Sequence, residues 1–193
     1  KINYIGFPLS VSEKFQQRNT NRSILDAVND IEQIQDLCYN NDKEMIVYLS
    51  MAFGNSYKEH YHSDIVSELT FKLHKLKIKN IALSDTIGIA DKNNIISLFS
   101  SLINEYSNIE FGAHFHSNID SWQEKVDSAY ISGCRRFDSA FGGYGGCPMA
   151  IDQLVGNIPT EKLIDYFADK LILNKNELNK ALAISDKLFK IYL

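Results

Sequence analysis

Five short apolar runs alternate with longer stretches whose apolar residues recur every three or four positions, and this alternation confines the chain to a parallel β/α architecture. The strand-like runs are residues 2–9, 45–52, 80–84, 109–116 and 136–141. Between them, Ser23 can cap a helix carrying Leu25, Val28, Ile31, Ile34 and Cys38. Ser63 precedes the same pattern at Ile65, Val66, Leu69, Leu73 and Leu76. Further helical patterns cover 94–103 and 117–132, and Gly133 then stands where a left-handed cap is wanted. Residues 160–167 and 176–192 complete the helical set. The repeat is roughly 30 to 40 residues, the size of one βα unit. Most strand-like runs are apolar at consecutive positions, as in parallel strands covered on both faces.

Such alternation suits an open doubly wound sheet or a (β/α)8 barrel, and composition does not choose between them. The polar residues lean toward the barrel. Ser10 and Glu13, Asp85 and Thr86, His114 and His116, and Cys147 all fall where a strand ends. In a barrel those ends meet on one face, which holds the active site. No linker or low-complexity stretch divides the chain, so residues 1–193 read as one domain. Acidic residues outnumber basic ones, 24 to 20, which leaves no cationic excess for nucleic acid. No apolar run is long enough to span a bilayer, and no membrane partner is expected. Three cysteines make no disulfide framework and suit a reducing compartment. The chain begins with Lys1 and runs directly into a strand-like segment, so it is expected to be a piece of a longer protein.

The sharpest chemical feature is His114-Phe115-His116. On a strand, residues two apart share a face, so both imidazoles converge and can bind one divalent metal; otherwise they are two polar residues at a strand end. His60-Tyr61-His62 has the same spacing in a polar loop, where no strand aligns the rings, and reads as solvated. His74, beside Lys75 in a helical pattern, reads as surface. The run Gly142-Gly143-Tyr144-Gly145-Gly146-Cys147-Pro148 is the second feature. It lacks the Lys and Ser/Thr of a nucleotide-binding loop. Cys147 is a candidate acid, base or nucleophile there, whereas Cys38 and Cys134 read as packing. Asp85 at a strand end is a candidate catalytic residue, a substrate contact or a cap. Asp138 has structural and catalytic readings alike. Asn157 offers a carbonyl oxygen to a hard metal, or simply makes a turn.

Together, Ser84-Asp85-Thr86-Ile87-Gly88, His114-Phe115-His116, Gly145-Gly146-Cys147-Pro148, Gly156-Asn157 and Pro159-Thr160-Glu161 resemble the 3-hydroxy-3-methylglutaryl-CoA lyases of the DRE-TIM metallolyase superfamily. Ser12-Glu13 and Arg18-Asn19-Thr20-Asn21 are similar to that family as well. The resemblance implies a (β/α)8 TIM barrel with Mg2+ or Mn2+ held by His114, His116, Asn157 and an aspartate. It implies that Cys147 is the catalytic cysteine of a mobile loop. The implied reaction is cleavage of hydroxymethylglutaryl-CoA to acetyl-CoA and acetoacetate, in leucine catabolism and ketone-body formation. The chain departs from the family in two places. The Asp-Arg-Glu motif of the first barrel strand is absent, so the five strands read as the fourth to eighth, followed by C-terminal helices, with strands one to three missing. The stretch from Cys147 to Asn157 is also one residue longer. The expected partners are an acyl-CoA substrate and a second copy of the chain. The expected compartment is the cytoplasm in a bacterium or the mitochondrial matrix in a eukaryote. The competing readings are a Claisen-type acyltransferase or aldolase on the same fold, and a non-catalytic metal-binding barrel remnant.

Overall fold

The computed structural model describes residues 1–118, 120–146 and 155–192. The principal strands are β1 (Tyr4–Ser10), β2 (Glu44–Ser50), β3 (Asn80–Asp85), β4 (Glu110–Ser117) and β5 (Arg136–Phe137). They pair in chain order, and every pairing along that path is parallel. The helices are α1 (Glu13–Thr20), α2 (Ile24–Asn40), α3 (Ser63–Lys75), α4 (Lys92–Glu105), α5 (Trp122–Ile131), α6 (Thr160–Tyr166) and α7 (Lys175–Tyr192). Among the described residues no helix is long and apolar enough to cross a membrane.

Local sequence explains where the helices start. Ser23 Oγ accepts the Asp26 amide at the head of α2, and Asp91 with Asn94 forms a reciprocal capping box on α4. The periodic apolar residues then pack on one side of the sheet. Phe111, Ala113 and Phe115 of β4 turn toward the helices, where Phe115 meets Phe53 and Phe99 edge-on. A fully buried ring of this kind costs about 3–5 kcal/mol to truncate to Ala.

The opposite face of the sheet is not the apolar surface that the consecutive apolar runs suggested. It carries Pro8, Tyr48, Ala82 and Gly112, set side by side through the parallel registers, with His114 two residues further along β4 beside Ser84. Small residues there make room for large ones. A Cβ on Gly112 would lie 2.6 Å from the Arg136 guanidinium. At the edge, β1 is also less covered than its composition implied, with Tyr4 and Ile5 exposed.

Three local features differ from the sequence reading. Residues 13–20 form α1, held by the Ser12 cap and closed by Asn21 at φ 55. The expected strand 136–141 shortens to β5, because Ala140 donates instead to the Ile158 carbonyl and Phe141–Gly143 form a 3-10 turn. A short strand β6 (Gly156–Asn157) runs antiparallel to the end of β4, pairing Asn157 with His116. That antiparallel return takes the place that a longer β5 would have filled.

Candidate active site

Strand β4 brings His114 and His116 to the C-terminal end of the sheet, with ring centroids 5.3 Å apart and the rings edge to face. Each ring is oriented from behind by its Nδ1. The His116 Nδ1–H donates to the main-chain oxygen of Asp85 at 3.1 Å. A carbonyl oxygen can only accept, so Nδ1 carries the proton. Burial, and then the neighbouring His114, hold the His116 pKa below the ordinary histidine value. The ring is therefore neutral near pH 7, with its lone pair on Nε2. The His114 Nδ1–H donates to the Asp138 carboxylate at 3.1 Å, so its Nε2 is not taken up by that contact. Carboxylate or carbonyl acceptors behind both rings are the usual outer partners of metal-binding imidazoles.

Asn157 reaches the same place through β6. Its Nδ2 donates to the Tyr144 carbonyl at 2.9 Å, which leaves Oδ1 for another partner. The glycine-rich segment can sit this close only because it lacks side chains. Gly143 and Gly145 have φ of 68° and 96°, and a Cβ on either would lie 2.9 Å from an Asn157 atom. Two imidazole nitrogens and an amide oxygen suit a divalent cation of the Mg2+ or Mn2+ kind in donor chemistry. Among the described residues no cluster of three His, Cys, Asp or Glu side chains could hold a metal ion, and Asn157 shares the cavity lining with the two histidines.

These groups line a cavity of about 370 Å3 together with Phe15, Asn19, Tyr48, Ser50, Ser84 and Thr86. Tyr48 stands edge-on to His114 at 5.4 Å. Burial, and then the Asp138 charge, raise its hydroxyl above the ordinary phenol range. The sequence reading passed over Tyr48 and Phe15, and held Asn19 only within the Arg18–Asn21 stretch of the resemblance. Position within the strand-like run was the available signal for Tyr48, since inward and outward residues alternate. Nothing local marked Phe15, because α1 was not foreseen.

Asp85, expected as a catalytic candidate, is buried, and partners surround its carboxylate. Oδ1 accepts the Ile89 amide at 2.9 Å, while Oδ2 accepts the Ala90 amide at 3.1 Å and the Lys125 ammonium at 2.6 Å. Lys125 on α5 was not anticipated at all. Cys147, the other catalytic candidate, lies outside the described residues; its neighbour Gly146 lines the cavity. The remaining cysteines, Cys38 and Cys134, are buried.

The second His-x-His pair is arranged differently. His60 is exposed, and His62 caps α3 by accepting the Asp64 amide at Nδ1. Between them Tyr61 turns inward and donates to the Ala52 carbonyl at 2.7 Å. His74 is half-buried against Tyr106, with ring centroids 5.2 Å apart, rather than on the open surface.

A parallel β/α sheet with paired imidazoles, backed by acceptors at a strand end, defines the class: an αβ barrel with a candidate metal centre at its C-terminal face. Comparison with known proteins gives the family. The HMGL-like pattern matches residues 1–187, and the chain belongs to the HMGL-like family. Hydroxymethylglutaryl-CoA lyase YngG of Bacillus subtilis (strain 168) is 27% identical over 168 residues, which cover 87% of this chain and 56% of that protein. The (R)-citramalyl-CoA lyase of Chloroflexus aurantiacus is 23% identical over 185 residues, covering 96% and 58% respectively. The structure of an HMG-CoA lyase from Acinetobacter baumannii, in complex with coenzyme A and 3-methylmalate, matches with a TM-score of 0.78 at 27% identity, covering 86% of this chain and 54% of that one. The sheet is thus part of a (β/α)8 barrel, as the sequence led us to expect. The chain spans about half the length of the curated relatives it matches.

Proposed function

We propose that this chain carries the metal-holding part of a carbon–carbon lyase that cleaves 3-hydroxy-3-methylglutaryl-CoA to acetyl-CoA and acetoacetate. The observation that carries the reading is the pair of imidazoles at one cavity wall whose Nδ1 atoms are both committed to acceptors, which leaves both Nε2 atoms outside those contacts. His114, His116 and Asn157 would hold Mg2+ or Mn2+. When bound, such an ion supplies Lewis acidity toward a substrate hydroxyl and carboxylate. The five parallel strands would be the fourth to eighth of the barrel, because among the described residues β1 and β5 each pair along one side only and no Asp-Arg-Glu motif is present.

The residues divide the work as follows. The substrate's tertiary hydroxyl passes its proton to water, the resulting alkoxide becomes the ketone of acetoacetate as the bond between the carbons alpha and beta to the thioester breaks, and that bond's electron pair passes to the departing thioester enolate. Cys147 would return a proton to the enolate carbon as general acid. Asp85 would act by position, holding the end of β3 beneath His116, since its carboxylate already accepts three donors. Tyr48 and Asn19 would meet the substrate from the cavity wall. The same chemistry serves other 3-hydroxyacyl thioesters, and the citramalyl-CoA lyase relative favours one such second substrate.

The test is turnover of hydroxymethylglutaryl-CoA and of citramalyl-CoA by the protein supplied with Mg2+ or Mn2+. Cleavage should favour the former. Cys147→Ser should lower it by about 10²- to 10⁴-fold, the usual contribution of a positioned proton donor. Mn2+ affinity should stay as it was, because a thiol is a poor ligand for such ions. Preference for citramalyl-CoA would replace the substrate, and near-normal turnover in Cys147→Ser would remove the thiol's role.

A further inference from the structure

Lys125 reaches the site from the helix behind it and has no place in the chemistry described so far. Its side chain is 4% exposed and that of Asp85 1%, so both charges are out of water. An ammonium has three N–H donors, and all are used: on Asp85 Oδ2 at 2.6 Å, the Gly88 carbonyl at 2.9 Å and the His116 carbonyl at 3.0 Å. The His116 ring in turn donates to the main-chain oxygen of Asp85. The contacts close a loop. Lys125 grips the backbone of His116 and the carboxylate of Asp85, and the backbone of Asp85 grips the ring of His116.

We propose that Lys125 is a positioning residue for His116, which it sets through Asp85 so that Nδ1 keeps the proton and Nε2 faces the cavity. The inference rests on the reading of His116 as a metal-holding imidazole. Energetics favour position over simple stapling. Desolvation of two buried charges largely offsets their attraction, and apolar residues of similar volume often stabilise a fold as well or better. What an apolar replacement lacks is direction. Only a donor with fixed geometry holds the carbonyls of β4 and of the turn after β3 at one separation, and that separation decides whether the imidazole bond forms. Outer partners of metal-holding histidines act in this way, by fixing tautomer and ring orientation.

The experiment uses the protein as it occurs naturally, expressed with 15N-labelled histidine. Two variants are compared with the parent: Lys125→Met, and the charge-balanced double variant Asp85→Asn with Lys125→Met. Nitrogen and proton spectra of the metal-free protein report the His116 tautomer and the exchange of its Nδ1 proton; Mn2+ titration reports affinity. The parent should show His116 protonated at Nδ1 with slow exchange. The double variant should keep a cooperative thermal transition, lose that signature to a mixture of tautomers, and bind Mn2+ about 10- to 100-fold more weakly. A folded double variant that retains both the Nδ1 signature and the parental Mn2+ affinity overturns the proposal. If Lys125→Met does not fold, the double variant decides. If neither folds, Lys125 is a staple of the fold and the proposal falls. Absence of Mn2+ binding in the parent would sink the metal reading of the site, while the tautomer measurement would still judge Lys125.

Discussion

His114-Phe115-His116 and His60-Tyr61-His62 are the same pattern in two places, and the comparison shows what a His-x-His spacing means physically. In both, the aromatic residue between the histidines turns toward the core: Phe115 beneath α4, Tyr61 onto the Ala52 carbonyl. In both, the histidines therefore point the other way. What lies on that other side differs. For β4 it is the cavity at the strand ends, with Asp138 and the Asp85 carbonyl waiting behind the rings. For the loop it is solvent, and His62 spends its Nδ1 on capping α3. Spacing aligns imidazoles, and acceptors behind them decide which way each ring is turned.

The largest test of this contrast replaces the rings. His114→Ala or His116→Ala should weaken Mn2+ binding by more than about a hundredfold, beyond the 10- to 100-fold that outer partners command. His60→Ala should leave Mn2+ affinity unchanged. His62→Ala should likewise spare it, while costing about 0.5 kcal/mol of stability through the lost cap. Calorimetric titration with Mn2+ measures the first, and denaturant unfolding the second. Comparable losses at the two pairs would erase the distinction.

The next test keeps the rings and removes an acceptor. Asp138→Asn preserves size but presents a weaker, neutral partner to His114 Nδ1, so Mn2+ affinity should fall about tenfold or more. Parental affinity in that variant would mean that the carboxylate behind His114 is incidental.

The smallest expected effect concerns the same divide between buried and open chemistry, read at a thiol. Burial pushes Cys134 up to about 12. A raised pKa keeps an acid protonated, so Cys134 should resist iodoacetamide in the folded protein at about pH 8 and react once denaturant is added. Mass spectrometry of the Cys134 peptide before and after unfolding decides the matter. Rapid alkylation of the native chain would show that this thiol is more accessible than its packing under β4 and β5 implies.

Much of the fold was legible from periodicity. The order of strands and helices, the Ser23 cap and the left-handed Gly133 follow from interactions a few residues apart, and these survive in any tertiary setting. The short elements were not legible. β6 has two residues, and only its antiparallel contact with β4 makes it a strand. β5 ends early because Ala140 finds a partner in Ile158, eighteen positions along the chain. The candidate site divides in the same way. The two histidines could be read as a pair, but Asp138 stands 24 positions from His114, and Asp85 is 40 from Lys125. No local pattern encodes those contacts.

The amino-acid sequence by itself determined the β/α alternation, the shared face of His114 and His116, and the glycines that permit positive φ beside Asn157. Those properties depend on backbone stereochemistry and side-chain period, which are local. Tertiary structure alone decided which imidazole nitrogens find acceptors behind them. That choice depends on which acceptors the packed strands bring behind each ring, and on the Lys125 ammonium that α5 sets against Asp85. It also decided that Asp85 meets a buried ammonium rather than the cavity, because a charge taken out of water must find its partner wherever the packed chain provides one.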